Sequence, residues 1–202
     1  MDVGCFNNII GKLCEEGMFS EAENLFEKMP TRSAYPDVVT YDLLVDACFR
    51  AGRVDDALKY FGKMMSTDDE GFNAVKFDLR LYNKTFDGLV KARYIPQAME
   101  IFYKMKEKEM KSGLKPDVKP RPDAFTFEIL INGLCREGDL DRARDLLEEM
   151  LRRALPISSQ LRQFVIETFD NVGRMAQIEQ LFGQHMSFLP HPSDAHAYQV
   201  AS

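Results

Sequence analysis

Apolar residues recur along the chain at the spacing of one face of an α-helix, i, i+3, i+4 and i+7. One such run is Tyr41, Leu44, Val45 and Cys48. After Ala51-Gly52-Arg53 the spacing returns in Val54, Ala57, Leu58 and Phe61. No segment alternates apolar and polar residues over a useful length. The pattern therefore predicts a helix, a short turn and a second helix, within an all-α fold that has no β-strand.

Four landmarks recur in phase along the chain, which indicates an internal repeat. The aromatic landmarks are Phe6, Tyr41, Tyr82 and Phe127, and the turn positions are Gly17, Gly52, Arg93 and Gly138. The alanines are Ala22, Ala57, Ala98 and Ala143, and the methionines are Met29, Met64, Met105 and Met150. Every series steps by 35, 41 and 45 residues. Because the four series shift together, the additional residues must lie between a methionine and the next aromatic, and the repeat body itself is constant.

We therefore predict five helix-turn-helix units, at 3–37, 38–78, 79–123, 124–158 and 159–190, followed by a polar tail at 191–202. The second and third units are expanded, and the fifth is a degenerate copy that closes the array. A lone helix pair leaves an apolar face exposed, so neighbouring pairs are expected to stack as a solenoid. Ser20-Glu21-Ala22-Glu23 has the spacing of a capping box at a helix start, and Pro96 suits a first helical position.

Composition and charge narrow the possible functions. The 26 basic and 32 acidic residues leave a formal charge of −6, which argues against tight nucleic-acid binding through bulk electrostatics. Any contact with phosphate must come from local basic clusters. No stretch approaches the roughly 20 consecutive apolar residues of a membrane helix, so no membrane contact is predicted. The helical pattern begins at Val3 with no targeting segment before it, so the chain is expected to be either a trimmed form or an excerpt of a longer protein.

Residue types that carry catalysis or bind metals are few and scattered. The four cysteines form no C-x-x-C pair and lie within apolar helical patterns, so we expect all of them to be reduced core residues: Cys5, Cys14, Cys48 and Cys135. Two of the three histidines, His191 and His196, stand in a polar tail that offers no rigid frame for a metal. No glycine-rich phosphate loop or nucleophile elbow is present. We predict no enzyme activity, no cofactor, no metal site and no small-molecule substrate.

Two segments resemble the pentatricopeptide repeat, the unit of plant organellar RNA-binding proteins. They run from Val38 to Arg53 (VVTYDLLVDACFRAGR) and from Ile131 to Leu140 (INGLCREGDL), and Tyr35-Pro36-Asp37 is similar to the end of such a unit. The resemblance extends from Val3 to about Phe188 and favours the P class of the family. It implies a right-handed α–α superhelix with single-stranded RNA in its concave groove. The main competitor, the tetratricopeptide repeat, has a different aromatic pattern and usually binds peptides.

In this family the fifth residue of a unit reads a base together with the last residue. By resemblance, the fifth residues are Asn7, Asp42, Asn83, Glu128 and Gln163, and the closing residues are Asp37, Asp78, Asp123 and Ser158. Asn7 with Asp37, and Asn83 with Asp123, would each favour a pyrimidine, uridine more than cytidine. The other two pairs, Asp42 with Asp78 and Glu128 with Ser158, match no common pairing. A carboxylate accepts from a cytosine amino group but repels phosphate.

The resemblance also implies residues that pack on the bases or contact the phosphates. The second residue of a unit supplies an apolar surface for the base, a role that Val39 and Phe125 fit and that Gly4 and Arg80 do not. The phosphate candidates are Arg50, Lys91 and Arg136 near the ends of first helices, and Lys115, Lys119 and Arg121 in a long linker. These residues have structural alternatives, because a cation stabilises a helix C-terminus and a linker is commonly solvated. The closing acids and the closing serine also suit helix N-caps.

Two functions from different classes remain open. The leading one is a non-catalytic module that holds single-stranded RNA and so affects its processing, stability or translation. The other is a scaffold subunit of a large organellar ribonucleoprotein such as the mitochondrial ribosome, with ribosomal proteins or rRNA as partners. The net acidity and the two expanded units favour the scaffold, whereas the two intact Asn–Asp pairs favour base reading. For either function the resemblance implies a mitochondrion, with the chloroplast as the alternative.

Overall fold

The structure, a computed structural model, describes residues 2–66, 78–111 and 121–186. Within these residues it contains ten α-helices and no β-strand, so the predicted all-α class is confirmed. The helices are α1 (Val3–Glu15), α2 (Phe19–Lys28), α3 (Val38–Arg50), α4 (Val54–Ser66), α5 (Leu79–Lys91), α6 (Ile95–Lys111), α7 (Ala124–Glu137), α8 (Leu140–Arg152), α9 (Ser159–Asp170) and α10 (Met175–Met186). The predicted tail at 191–202 lies outside the described residues.

The chain forms two compact units, Met1–Leu130 and Ile131–Ser202. In the first, α1 packs on α2, α3 on α4 and α5 on α6, and the first helices α1, α3 and α5 also pack on one another in order. In the second, α10 packs on α9 and α8. Helix pairs therefore follow one another as the repeat predicts, while the boundaries of the five predicted repeat units stay a prediction.

Aromatic side chains join each helix pair to the next within the first compact unit. The rings of Phe26 and Tyr41 meet edge to face with centroids 5.7 Å apart. The same contact recurs between Phe61 and Tyr82 at 5.1 Å and between Phe102 and Phe127 at 5.5 Å. Each pair joins a second helix to the following first helix and is worth about 0.5–1.5 kcal/mol beyond the area that it buries. The aromatic landmark of the repeat is thus the residue that stacks one pair on the next.

The turn between the paired helices requires a left-handed residue. Its φ is 74° at Gly17, 71° at Gly52, 78° at Gly138 and 70° at Gly173, a region that glycine enters without steric cost. The third copy has Arg93 there, with φ at 64°. The helix end is nevertheless closed in the same way, because the next amide, that of Tyr94, donates to the Leu89 carbonyl over 2.8 Å. The turn landmark therefore marks a helix C-terminus, and Arg93 holds a strained backbone there.

The cysteine prediction is right for three residues and wrong for one. Cys14, Cys48 and Cys135 are buried, and burial raises the pKa of Cys48 and Cys135 to about 11, so both are protonated, inert thiols. Cys5 is exposed. The buried face of α1 carries Phe6, and Cys5 is turned away from it by about 100° of helical rotation.

Two predicted helix starts also need correction. The predicted capping box at Ser20 is wrong, because α2 already begins at Phe19 and its N-cap, Met18, makes no side-chain cap bond. Pro96 is the second residue of α6 rather than the first. At this position its missing N–H still costs no helical hydrogen bond, since the first turn has no intrahelical acceptor.

No helix of the described residues has the length and apolar character needed to cross a membrane. The same part of the chain contains no group of three or more His, Cys, Asp or Glu side chains placed to hold a metal ion. His191 and His196 lie outside the described residues.

Candidate nucleic-acid interface

The closing residues of the predicted units cap the helices that follow them, as the sequence indicates. The carboxylate of Asp37 accepts from the Thr40 amide at 2.9 Å and that of Asp123 from the Thr126 amide at 2.8 Å. Asp78 accepts from the Arg80 amide, and the Ser158 hydroxyl accepts from Leu161 N–H. The capping prediction is therefore confirmed at all four positions.

The first predicted reading pair forms a cluster with a third residue, Thr40. Nδ2 of Asn7 donates to Oδ1 of Asp37 over 3.1 Å. The Thr40 hydroxyl lies 2.7 Å from Oδ1 of Asn7 and 2.9 Å from Oδ1 of Asp37. In return it accepts from the Asp37 amide at 3.1 Å, which completes a capping box. Asn7 and Thr40 are buried, with 8% and 0% of their surface exposed.

The second predicted pair repeats this cluster with Thr126. Nδ2 of Asn83 lies 3.3 Å from Oδ1 of Asp123, and the Thr126 hydroxyl lies 2.7 Å from Oδ1 of Asn83. The hydroxyl accepts from the Asp123 amide at 3.2 Å. Asn83 and Thr126 are again buried. Two units of the repeat therefore build the same three-residue arrangement, although the asparagine lies 30 positions before the aspartate in the first copy and 40 in the second.

The threonines were missed by sequence reasoning, although a signal for them exists. Asp37-Val38-Val39-Thr40 and Asp123-Ala124-Phe125-Thr126 share the pattern D-x-x-T at a helix start. That spacing is typical of a cap, and nothing local reveals that the same hydroxyl also reaches an asparagine of the preceding unit. Where Leu81 takes the place of the threonine, after Asp78, no such cluster forms.

The cluster fixes which hydrogen-bonding groups each pair has left. Burial raises the pKa of the Asp37 carboxyl, but hydrogen bonds from the Thr40 amide, the Asn7 carboxamide and the Thr40 hydroxyl outweigh it, so the net pKa is lowered. All of these bonds fall on Oδ1. Within the described part of the chain, Oδ2 of Asp37 accepts no hydrogen bond and the second N–H of Asn7 donates none. The pair can therefore offer a ligand one acceptor atom and one donor group.

Two cavities follow one another between the first helices of the first compact unit. The first cavity, about 290 Å³, lies between α1 and α3 and is lined by Asn7, Asn8, Gly11, Lys12, Glu15, Val39 and Leu43. The second cavity, about 270 Å³, lies between α3 and α5 and is lined by Val38, Val39, Asp42, Asp78, Arg80, Leu81 and Lys84. Val39 belongs to both linings. One apolar side chain therefore separates two spaces of nearly equal size.

Asp42 and Asp78, which the sequence pairs as readers, each have a different partner. Nζ of Lys84 lies 2.6 Å from Oδ1 of Asp42 and 3.8 Å from Oδ1 of Asp46. Nη2 of Arg80 lies 2.8 Å from Oδ2 of Asp78. This side-chain bond to Arg80 lowers the pKa of Asp78 against the opposing effect of burial, with the Arg80 amide adding to it. Lys84 was not among the predicted site residues.

The remaining reading candidates lie on α7 and α9. Glu128 is half-buried on α7, and Ser158 serves as the N-cap of α9. Gln163 donates to Glu167 one turn further along the same helix, over 2.6 Å. Their part in base reading stays a prediction.

The two predicted base-packing residues are exposed despite being large and apolar. Val39 has 53% of its surface exposed and Phe125 has 59%. A soluble surface normally tolerates such residues singly. Both stand in the first turn of a first helix, beside a reading cluster, and Val39 forms a wall of both cavities. Their part in base packing stays a prediction.

The four phosphate candidates that the structure describes are exposed, and three of them already have carboxylate partners. Nε of Arg50 lies 3.0 Å from Asp46, and Nζ of Lys91 lies 2.6 Å from Asp87, one helical turn earlier in each case. Arg136 is also exposed. Nε of Arg121 lies 3.8 Å from Glu109, and Lys115 and Lys119 lie outside the described residues. Any phosphate contact by Arg50 or Lys91 must therefore compete with an aspartate.

Several proteins are similar to this chain. An Arabidopsis thaliana pentatricopeptide repeat-containing protein is 32% identical over 182 residues, which are 90% of this chain and 18% of that protein. The Arabidopsis thaliana small ribosomal subunit protein mL104 (rPPR9) is 27% identical over 142 residues, 68% of this chain and 24% of that protein. Two further Arabidopsis pentatricopeptide repeat-containing proteins described as mitochondrial are each 28% identical, over 142 and 156 residues. This chain thus spans less than a third of the length of these relatives.

The fold is similar to solved pentatricopeptide structures. The crystal structure of the pentatricopeptide repeat protein PPR10 from maize superimposes with a TM-score of 0.69 at 19% identity, over 96% of this chain and 26% of PPR10. The structure of PPR10 in complex with an 18-nt psaJ RNA element superimposes with a TM-score of 0.60, also at 19% identity, over 93% of this chain and 25% of PPR10. The helix pairs of this chain therefore have the fold of a pentatricopeptide solenoid.

Family models match most of the chain. The model described as PPR repeat family matches residues 1–50, and two models described as PPR repeat match 39–67 with 80–110, and 120–151. These matches follow the helix pairs from α1 to α8. The chain belongs to the pentatricopeptide repeat family.

Proposed function

We propose that this chain is a non-catalytic module that binds single-stranded RNA between its first helices, as part of a mitochondrial protein acting in RNA processing, stability or translation. The proposal takes Asn7 with Asp37, and Asn83 with Asp123, as two uridine sites. Val39 and Phe125 supply apolar surfaces for the bases. Arg50, Lys91, Arg136, Lys115, Lys119 and Arg121 remain the phosphate candidates. Glu128 and Ser158 remain candidates for a further base.

The observation that carries the proposal is the repeated Asn–Asp–Thr cluster. Each copy leaves one N–H donor on the asparagine and one carboxylate oxygen. The Watson–Crick edge of uracil presents the complementary groups, an N3–H donor beside a carbonyl acceptor. The threonine hydroxyl bonds Oδ1 of the asparagine and so fixes which end of the carboxamide carries the NH₂ group. The remaining N–H donor therefore has a fixed direction. A site held in this way before binding loses little conformational entropy when it binds a base.

Three further observations support the proposal. A cavity of about 290 Å³ beside Asn7 is slightly below the roughly 300–1,000 Å³ of pockets for drug-sized ligands, a size suited to a single base. PPR10, similar in fold, has been crystallised with RNA. Relatives that are described as mitochondrial favour that organelle over the chloroplast.

Short RNA strands with a symmetric three-base core test the proposal without assuming a strand direction. The parent protein should bind the core U-A-U more tightly than U-A-A, A-A-U and A-A-A, measured by fluorescence anisotropy at low salt. Affinity should be near the ~10⁻⁶ M of weak nucleic-acid contacts and should fall steeply as salt rises. In Asn83→Ala, one of the two strands with a single replacement, U-A-A or A-A-U, should bind as tightly as U-A-U, while the other should still bind more weakly.

Asn24→Ala is the matched control, because Asn24 is exposed on α2, away from both clusters. It should leave the order of the four strands unchanged. The melting midpoint of Asn83→Ala, measured beside binding, separates loss of reading from loss of fold. Equal affinity of the parent for all four strands would refute base reading.

The second candidate function is the ribonucleoprotein scaffold, and two observations favour it. The relative mL104 is described as a ribosomal subunit protein. The ion-paired state of Arg50 and Lys91 also lowers the positive charge available to a free RNA strand. This function requires no uridine preference, so equal binding of the four strands, or none, would favour it.

A further inference from the structure

The second cavity is lined by both apolar and charged side chains. Val39, with 53% of its surface exposed, forms one apolar wall. Arg80 also lines the cavity, and 92% of its side chain is exposed. Two carboxylates and the Lys84 ammonium complete the polar lining. This combination suits a flat ring with polar edges, because guanidinium planes and apolar side chains both stack on bases.

The Arg80 guanidinium is held in place by Asp78. Its Nε lies 3.2 Å from each carboxylate oxygen, and its Nη2 lies 2.8 Å from Oδ2. A fork held by several such bonds has a defined plane. Asp78 therefore positions Arg80, and the carboxylate that remains to read a ligand is Asp42.

Asp42 and Lys84 place an acceptor beside a donor. Nζ of Lys84 lies 2.6 Å from Oδ1 of Asp42, which leaves further N–H groups on the ammonium and lone pairs on the carboxylate. Both side chains are about equally accessible, at 40% exposed for Asp42 and 36% for Lys84. A ligand edge that carries an acceptor next to donors would meet both groups at once.

The charges of this lining argue for a neutral ligand. Arg80 is paired with Asp78, and Lys84 is paired with Asp42 and is also near Asp46. Each cation is thus compensated, and when Asp46, which lies beside the lining, is included, three carboxylates face two cations. A phosphate or a carboxylate ligand would be repelled there, whereas a nucleobase is uncharged.

We propose that the second cavity is a guanine site, in which Asp42 accepts from the base and Lys84 donates to it. Guanine alone among the four bases has two adjacent N–H donors, N1–H and the N2 amino group, which one carboxylate accepts in parallel. Its O6, next to N1, is an acceptor for the Lys84 ammonium. Adenine and cytosine each have one amino group beside an acceptor, and uracil has one donor between two acceptors. None of these three bases can donate two parallel hydrogen bonds to one carboxylate.

The inference rests on the proposed RNA binding. It assigns base reading to Asp42 of the second repeat unit together with Lys84 of the third repeat unit. The neighbouring reading positions at Asn7 and Asn83 are expected to take uridines, so the core to test is U-X-U, which again reads the same in both directions. With X as guanosine, affinity should exceed that for adenosine, cytidine or uridine by about tenfold, as good bidentate contacts discriminate. Inosine, which lacks the N2 amino group, should lose most of this gain.

Two variants test the roles of the pair. Lys84→Met and Asp42→Asn should each remove the preference for guanosine at X while keeping the preference for uridine on either side. Lys59→Met is the matched control, because Lys59 is likewise a lysine paired to a carboxylate, Glu23, but lies on α4 away from the cavity lining. It should leave the tenfold preference unchanged.

The outcomes separate this inference from the function on which it rests. Uridine-dependent binding with no preference at X, or with a preference for another base, would overturn the guanine site alone. Guanosine preference that survives Lys84→Met and Asp42→Asn would overturn the assignment of these two residues. Absence of binding to every strand would overturn RNA binding and the guanine site together.

Discussion

Oγ1 of Thr40 lies 2.7 Å from Oδ1 of Asn7, so a residue at the start of α3 holds the carboxamide of a residue on α1. Both side chains are buried. The contact links two consecutive repeat units through polar groups, and the edge-to-face contact of Phe26 with Tyr41 joins the same two units. The hydroxyl that stabilises the fold here therefore also holds the asparagine to which the proposed function assigns base reading.

Thr40→Val should destabilise the protein by about 1–3 kcal/mol, because it keeps the side-chain volume but leaves the buried carbonyl of Asn7 without its donor. Chemical unfolding in urea measures the difference. Thr85→Val is the control: its hydroxyl is equally buried but bonds the Leu81 carbonyl within its own helix, 2.8 Å away. That carbonyl also accepts the regular helical bond, so its loss should cost less. Equal costs for the two variants would contradict the role given to Thr40.

The sequence predicts the helices and their caps because both depend on local spacing. The apolar period places α3 and α4, and Asp37 stands directly before an apolar run, as an N-cap does. The ion pair of Lys91 with Asp87 follows from a spacing of four residues and was equally open to prediction.

Contacts between units were not predictable in this way. Lys84 meets Asp42 across two helices, and nothing in either segment alone indicates that partner. The exposure of Cys5 was missed for a different reason, because one residue of helical rotation separates it from the buried Phe6. Sequence patterns thus gave the elements, while the site required the packing of α1, α3 and α5.

Asp37 can be tested as a cap and as a titrating group. Asp37→Ala should cost about 0.5–2 kcal/mol, whereas Asp37→Asn should retain most of the cap. The folded pKa of Asp37 lies below its usual value of 3.8, so its charged form stabilises the fold above that value. This contribution is lost as pH falls through the folded pKa.

The stability difference between the parent and Asp37→Asn should therefore be constant near neutral pH and shrink below about pH 4. Urea unfolding of both proteins across this range measures it. A difference that grows as the pH falls would show that the carboxylate is destabilised in the folded protein, contrary to its hydrogen bonds.

Arg93→Gly should stabilise the protein by up to about 1 kcal/mol, because Arg93 holds a left-handed backbone, with φ at 64°, that glycine adopts without strain. The gain is net of the contacts of the arginine side chain. The matching change Gly52→Ala, at φ of 71°, should destabilise by a similar amount. Thermal melting should show a higher melting midpoint for Arg93→Gly and a lower one for Gly52→Ala than for the parent. A loss of stability in Arg93→Gly would mean that the side-chain contacts of Arg93 outweigh the strain.

The pairing of Lys91 with Asp87 leads to a prediction about RNA affinity. Nζ of Lys91 lies 2.6 Å from Asp87, and both side chains are exposed, at 71% and 43%. Asp87→Asn should release the lysine and raise affinity by up to about fivefold for every strand, since an exposed ion pair is worth about 0.2–1 kcal/mol. A phosphate contact is blind to base identity, so the order of the strands should not change. The steepness of the salt dependence should increase as well.

Asp55→Asn is the control for Asp87→Asn, because it removes an equal charge from an exposed position on α4. It separates the release of Lys91 from the change in net charge. Adding Lys91→Ala to Asp87→Asn should abolish the gain. If Asp55→Asn raises affinity as much as Asp87→Asn does, or the gain survives the loss of Lys91, then Lys91 does not contact the phosphates.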